Sequence, residues 1–305
     1  MTAPHTTAAW LLPAEAYWSP EWFAAEQDRL FGRCWNMVGN VDDMVPDMAL
    51  VGTVAGRPVA IYVDDGGTVE ARSGSAPVAV DVWAGYLFVH LDPAAAPPLD
   101  EWLGDFPNRI GPFLPDKLVE VARHRFDLAA NWKFFVENHV DVYHLWYLHG
   151  ESLGAYDHPR SAWDTCGPHW VFYEPPRDDV DTHDERFWRG LLPLEGVGED
   201  RWGSGAHLVF PNLTLATGAG FFMTYQCLPV APDRSVVDIR VRAEAGSDAA
   251  EMLAMSRTVI EREDGAACEG LQRAVTSPSF CVGPLARDHE LPITRFHESV
   301  LAAMA

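Results

Sequence analysis

The chain has 305 residues, with 22 Lys+Arg against 44 Asp+Glu and a formal net charge of −22. That balance excludes nucleic-acid binding through a basic face, and no apolar run reaches the roughly 20 residues that a bilayer-spanning helix needs. The five cysteines (Cys34, Cys166, Cys227, Cys268 and Cys281) form no CxxC, CxH or CxxCH, which removes thiolate zinc, iron–sulfur and c-type haem sites in their usual ligand spacings.

An odd, scattered cysteine set fits a reducing cytoplasm better than a disulfide scaffold. Met1–Trp18 lacks the basic start of a signal peptide, so a cytoplasmic protein is expected. The first predicted element is a helix. Ser19 and Pro20 supply its cap and first turn, and Trp22, Phe23, Leu30 and Phe31 recur at helical spacing. Strand-like runs follow at Trp35–Val38, Ala49–Val54, Pro58–Val63, Val78–Val82 and Tyr86–Leu91, with Asp65-Gly66-Gly67 as a turn signal. The Ala/Pro stretch Pro93–Pro98 reads as a linker to a larger second part.

Beyond the linker, the spacing predicts a helix from Ala130 to about Trp146. Strands are predicted at His169–Tyr173, His207–Phe210, Leu213–Thr217, Phe221–Leu228 and Val236–Ala243. The acidic stretch Glu174–Glu185 contains Pro-Pro and reads as a surface loop. A long helix follows from about Asp248 to Ala274, with a break expected near Gly265 or Gly270. Helix, antiparallel strands and a long helix together predict an α+β class.

The segment from Asn131 to His149 carries the chemistry. On a helix at about 100° per residue, Glu137, Asp141 and His144 share a sector, with Asn138 beside them. The other sectors are apolar, so the helix is expected to be buried. Two carboxylates and a histidine buried together are costly unless something compensates them. A divalent metal is one such compensation. His149 is five residues after His144, so the two share an ion only if the helix ends or distorts. With one carboxylate they make a facial triad that leaves positions open for oxygen and substrate.

In the second helix, Leu253, Ile260, Ala267 and Leu271 mark an apolar face. Asp264 lies on that face, and Glu269 points the other way as a solvated acid. A lone buried Asp needs a partner: a metal held by His144 and His149, or an arginine such as Arg123, Arg240 or Arg242. His124, His139, His158, His183, His289 and His297 read as surface or core residues, and no phosphate loop, GxSxG or HExxH occurs.

The chain resembles the catalytic α-subunits of Rieske-type non-haem iron ring-hydroxylating oxygenases and their demethylase relatives. The resemblance rests on Asn131-Trp132-Lys133, Glu137-Asn138, Asp141-x-x-His144-x-x-x-x-His149, and Glu263-Asp264 with Glu269 and Gln272. It extends to Leu12-Pro13 with Tyr17, Phe31-x-Arg33-Cys34-Trp35, and Trp83-x-Gly85-x-Leu87-Phe88-Val89 with Leu91-Asp92. Phe210-Pro211-Asn212-Leu213 and Phe296-His297 also fit.

The resemblance implies a helix-grip (START-like, SRPBCC) catalytic domain over 99–305. Before it would lie an N-terminal helical arm, 1–40, and a truncated, cluster-less Rieske-like β domain, 41–98. His144, His149 and Asp264 would bind Fe(II). Asp141 would be the carboxylate that bridges electron transfer from a Rieske cluster on a neighbouring subunit, and Asn138 and Tyr143 would support the site.

One departure from the family is large. Its members hold a [2Fe-2S] cluster with Cys-x-His and Cys-x-x-His, between a turn like Asp65-Gly66-Gly67 and a strand like Trp83–Asp92. Here only Thr68–Val82 separates those landmarks, and it contains neither Cys nor His. The resemblance thus implies a mononuclear iron mono- or dioxygenase with no [2Fe-2S] cluster in this chain. It would hydroxylate or demethylate a small organic substrate with O2. Electrons would come from a Rieske-containing oxygenase subunit, a ferredoxin or a reductase in a trimer-based hetero-oligomer. The acidic surface would orient a complementary donor.

Two other readings stay open: an iron enzyme working without external electrons, and a non-catalytic structural subunit. The substrate is not legible. Trp146, Tyr147, Trp163, Trp170, Phe172, Phe221, Phe222 and Tyr225 are candidates to line an aromatic-ring pocket or to cage a methylated ammonium, or are ordinary core aromatics.

Overall fold

A computed structural model describes residues 8–64, 66–113, 118–180, 189–194, 197 and 204–305. Asp65 and His183 lie outside the described residues, as does the end of the acidic stretch. The first helix, α1 (Pro20–Ala25), starts as expected: Ser19 Oγ accepts from the Trp22 amide at 3.1 Å. A six-stranded antiparallel sheet follows: β1 (Asn36–Asn40), β2 (Leu50–Val54), β3 (Arg57–Val63), β4 (Val69–Ser73), β5 (Ala76–Trp83) and β6 (Tyr86–His90). Its order is β1-β6-β5-β4-β3-β2. β4 was not predicted, because Val69-Glu-Ala-Arg-Ser buries only Ala71. The stretch Thr68–Val82 is a hairpin with Ser73 opposite Ala76 and a two-residue turn at Gly74, φ +60°.

Two short helices, α2 (Leu99–Leu103) and α3 (Phe106–Ile110), precede the second sheet. That sheet has seven strands: β7 (Val119–Leu128), β8 (Ala162–Cys166), β9 (His169–Glu174), β10 (Ser204–Val209), β11 (Leu213–Gly218), β12 (Phe221–Ala231) and β13 (Arg234–Ala243). Its order is β7-β13-β12-β11-β10-β9-β8. The two edge strands, β7 and β8, are half-exposed and were missed in the sequence. Gly85 stands where the sheets meet. Its φ is +77°, and a Cβ there would lie 2.8 Å from Arg242 Nη1, which hydrogen-bonds the Ala84 carbonyl at 2.6 Å.

Helices α4 (Trp132–Val140) and α5 (Leu145–Leu148) replace the single helix expected to reach Trp146. Asn131 Oδ1 caps the start of α4 at the Lys133 amide, and Asp141 ends it in extended backbone, φ −72° and ψ 109°. The main core joins α4 (Phe134, Val136) to the sheet (Phe221, Ile239) and to the long C-terminal helix (Met252, Cys268).

The long helix is continuous from Ala250 to Val275, with no break at Gly265 or Gly270. It consists of α6 (Ala250–Ser256), a π-helical segment Arg257–Asp264 and α7 (Gly265–Val275). The π segment inserts about one residue's worth of rotation, so the buried face does not follow an α-helical period. Met252, Ser256, Ile260, Asp264, Cys268 and Gln272 are buried, whereas Leu271 is 46% exposed. Glu269 is half-buried and accepts the Ala129 amide at 3.1 Å, so it is not a free solvated acid.

A final helix, α8 (Leu291–Met304), latches the N-terminal segment: Ala9 exchanges two hydrogen bonds with Thr294 Oγ1, and the Leu11 amide donates to His297 Nδ1. Among the described residues no helix is long and apolar enough to cross a membrane.

Candidate metal centre

Because α4 stops at Val140, the backbone turns before His144, and His144 and His149 flank the short helix α5. Their Nε2 atoms lie 3.2 Å apart. Asp264 Oδ1, from the end of the π segment, is 2.9 Å from His149 Nε2 and 3.6 Å from His144 Nε2. Among the described residues these three side chains form the group close enough to share an ion.

The donor set fits a divalent metal. Two donors at right angles, each about 2.1 Å from an ion, are about 3.0 Å apart, close to the edges of this triangle. His144 Nδ1 donates to the Asp141 carbonyl, and His149 Nδ1 donates to Glu263 Oε2 at 2.7 Å. Each ring is thereby oriented with Nε2 toward its partners, the arrangement that outer hydrogen bonds give metal-binding histidines. Asp264 is 4% exposed, and its Oδ1 has no hydrogen-bond partner among the described residues. A bound cation would supply what that oxygen lacks. Arg123, Arg240 and Arg242 do not serve Asp264: Arg123 pairs with Asp238, Arg240 with Asp43 and Glu120, and Arg242 with backbone carbonyls.

Burial pushes the His144 imidazole down to about 4, so it is a neutral ligand near pH 7. At His149 burial also lowers the value, but Asp264 and Glu263 outweigh it and the imidazole is raised. Without a metal, a proton at His149 neutralises part of the carboxylate charge. A bound metal would take the place of that proton.

The remaining sequence candidates divide. Asp141 sits near the surface with its side chain 16% exposed, and burial pushes its carboxyl up to about 7. The Tyr143 amide holds its Oδ1 at 2.8 Å. The Tyr143 ring turns away, stacking on His289 and meeting Tyr147 Oη at 3.2 Å. Asn138 Nδ2 stands 3.5 Å from His144 Nε2.

Glu137 leaves the group altogether. Its Oε1 accepts from Tyr17 Oη at 2.6 Å and from His297 Nε2 at 2.9 Å, on the opposite side of α4. The shared sector held only for a helix continuing to His144, and the chain leaves the helix at Asp141.

Glu263 and Ser152 were missed. Ser152 Oγ donates to Glu263 Oε2 at 2.6 Å, fixing the carboxylate that holds His149. The sequence signal was present in the adjacent pair Glu263-Asp264, but the helical wheel assigned a role only to Asp264. Glu263→Gln is expected to weaken metal binding ten- to hundredfold, measured by competition with a chromogenic chelator. Unchanged affinity would mean that Glu263 does not orient His149.

The triad opens on a cavity of about 100 Å³. Its wall includes His139, Tyr156, Trp170, Phe172, Glu174, Phe221 and Tyr225. His139 is not a core filler but a wall residue: its Nε2 bonds the His207 carbonyl at 3.0 Å, and burial pushes it down to about 4. Of the other candidate aromatics, Trp163 lines a separate groove, Phe222 packs in a second core, and Tyr147 is 72% exposed. Glu174 is not a loop residue: it ends β9 and is 3% exposed.

The family profile described as "Ring hydroxylating alpha subunit (catalytic domain)" matches residues 115–305. The chain is 25% identical over 242 residues to choline monooxygenase of Spinacia oleracea, covering 73% of this chain and 50% of that protein. It is 35% identical over 83 residues to the glycine betaine monooxygenase oxygenase subunit of Chromohalobacter salexigens, covering 27% and 18%. The chain thus spans about half the length of the choline monooxygenases it matches. A quaternary ammonium Rieske monooxygenase shares the fold with a TM-score of 0.83 at 17% identity, covering 98% of this chain and 96% of that one. Naphthalene 1,2-dioxygenase from Rhodococcus sp. gives 0.74 at 16% identity, covering 96% and 94%. The chain belongs to the ring-hydroxylating oxygenase α-subunit family, whose catalytic domain it carries.

Proposed function

We propose that this chain is the catalytic subunit of a non-haem Fe(II) oxygenase that hydroxylates or demethylates a small organic substrate with O2. The observation that carries this reading is the His144–His149–Asp264 triangle on one wall of a largely apolar cavity. His144, His149 and Asp264 are the residues to hold Fe(II), which supplies oxygen activation when electrons arrive from outside. Trp170, Phe172 and Phe221 keep the cavity apolar, and Asn138 stands beside the ligand His144. In this reading the second sheet with α4 and the long helix is a helix-grip domain over 99–305. The first sheet is a truncated Rieske-like domain over 41–98, preceded by an arm over 1–40.

The hairpin β4–β5 supplies no Cys or His where the family holds its cluster. Electrons are therefore assigned to a Rieske-bearing partner subunit or reductase in a trimer-based assembly. The quaternary ammonium Rieske monooxygenase structure is itself described in terms of inter-subunit electron transfer. Asp141 is the residue at which they enter: it is partly exposed, and its own carbonyl bonds the ligand His144.

Purified protein should bind about one Fe per chain, show no Rieske EPR signal, and turn over when a cluster-bearing partner is added. Asp141→Asn should keep its iron, because His144 is held by the backbone carbonyl, yet lose partner-driven turnover at least a hundredfold. Full turnover with a chemical reductant alone would remove the partner from the scheme. The names of the relatives divide between methylated ammonium and aromatic substrates, so they do not choose the substrate.

A further inference from the structure

The cavity wall has a charge balance that the oxygenase reading does not use. Apart from the triad and Asp141, the carboxylate that lines it is Glu174, 3% exposed. No lysine or arginine lines the cavity among the described residues. A buried carboxylate is costly unless it is compensated, and among the described residues its side-chain partner is His158, whose Nδ1 donates to Glu174 Oε2 at 2.7 Å. The same cavity is lined by Tyr156, Trp170, Phe172, Phe221 and Tyr225. Trp170 and Phe172 are stacked with centroids 5.4 Å apart.

Aromatic faces carry negative potential and attract a desolvated cation. An anionic group entering this cavity would meet Glu174 with no lysine or arginine on the wall to balance it, and the one base beside that carboxylate, His158, is already hydrogen-bonded to it. Size adds a limit. A cavity of about 150 Å³ holds one benzene, so this cavity of about 100 Å³ suits a compact head group and not a fused ring system. Trp170 Nε1 has no hydrogen-bond partner among the described residues, so the wall also carries a donor for a ligand oxygen.

We propose that the substrate is a compact methylated ammonium cation without a carboxylate, with Glu174 as its counter-charge and the Tyr156/Trp170/Phe172/Phe221/Tyr225 wall as its cage. The proposal rests on the oxygenase reading of this cavity, and deepens it by choosing the substrate class. The competing account of Glu174 is structural: with His158 it ties the segment around Tyr156–Arg160 to the end of β9, where the Asp157 amide also bonds the Pro175 carbonyl.

Anaerobic calorimetric titration of the Fe(II)-loaded protein separates the two accounts. The probes are choline, its uncharged carbon isostere 3,3-dimethylbutan-1-ol, and glycine betaine, which adds a carboxylate. Choline should bind at least tenfold tighter than either, about 1.4 kcal/mol. Glu174→Gln can still accept the His158 hydrogen bond but carries no charge. It should bring choline and the alcohol within twofold of each other while leaving the alcohol's affinity unchanged.

Equal binding of choline and the alcohol, equal binding of betaine, a preference that survives Glu174→Gln, or no binding of any probe would overturn the proposal. Should Glu174→Gln fail to fold, Phe172→Leu decides. It should cost choline at least fivefold more than the alcohol, and equal losses count against the cage. Iron retained at one per chain with no cation preference removes the substrate class and leaves the oxygenase reading standing. Failure to bind iron at the triad removes the oxygenase reading itself.

Discussion

His144→Ala is expected to strip the centre of iron while leaving the metal-free protein folded. Bound iron should fall from about one per chain to less than a tenth, measured by elemental analysis after dialysis. Partner-driven turnover should fall with it. The loss exceeds that expected for Glu263→Gln, because a ligand is removed rather than its orienting partner.

The fold survives for a reason particular to this histidine. Burial holds His144 neutral, so the substitution takes away no charge. His149 then still stands between Asp264 and Glu263, at 2.9 and 2.7 Å, and can carry the compensating proton. His149→Ala should behave differently. It removes the same number of ligands but leaves two carboxylates facing each other without a cation, so it should also lower the melting temperature. A His144→Ala protein that keeps full iron would place the metal elsewhere.

The second large effect concerns stability. Lys133 and Glu26 are both fully buried, with Nζ 2.6 Å from Oε1. Trp22 and Trp132 donate their indole N–H groups to the same carboxylate at 3.0 Å each. Burial lowers the Lys133 ammonium, and Glu26 works against that. Breaking a buried pair strands the other charge, at a cost of about 3–5 kcal/mol. Lys133→Met should therefore lose that much in denaturant unfolding of the metal-free protein. The double variant Lys133→Met/Glu26→Gln should recover most of the loss, since no charge is then stranded. A Lys133→Met protein of wild-type stability would show that the Lys133–Glu26 pair does not hold the fold together.

The legible part of the centre came from residue type and spacing. His144, His149 and Asp264 are polar residues on stretches that are otherwise apolar, and burial makes such residues conspicuous. Glu137 misled because a helical wheel assumes a continuous helix. Nothing in Val140-Asp141-Val142 announces that the backbone becomes extended at Asp141. Leu271 misled through the opposite error: the helix continues, but its period changes across Arg257–Asp264, so residues beyond are rotated relative to an α-helical count. Edge strands β7 and β8 were illegible because half-exposed strands carry polar residues on both faces. Glu174 was hidden by its neighbours Pro175 and Pro176, which look like loop although the strand runs up to them.

The clamp beneath α4 has a consequence for how the chain is made. Glu137 is held by Tyr17 from one end and by His297 from the other, and Thr294 and His297 in turn hold the backbone at Ala9 and Leu11. These contacts join residues up to 286 positions apart. Translation proceeds from the N-terminus at about 5–20 residues per second. For the roughly 3–11 s of synthesis that separate the end of β13 from His297, Glu137 lacks one of its two partners. Until His297 has cleared the ribosome, the helix that leads through Asp141 to His144 rests on an incomplete base. A nascent chain stalled before residue 290 should therefore expose this helix to proteases that spare the released protein.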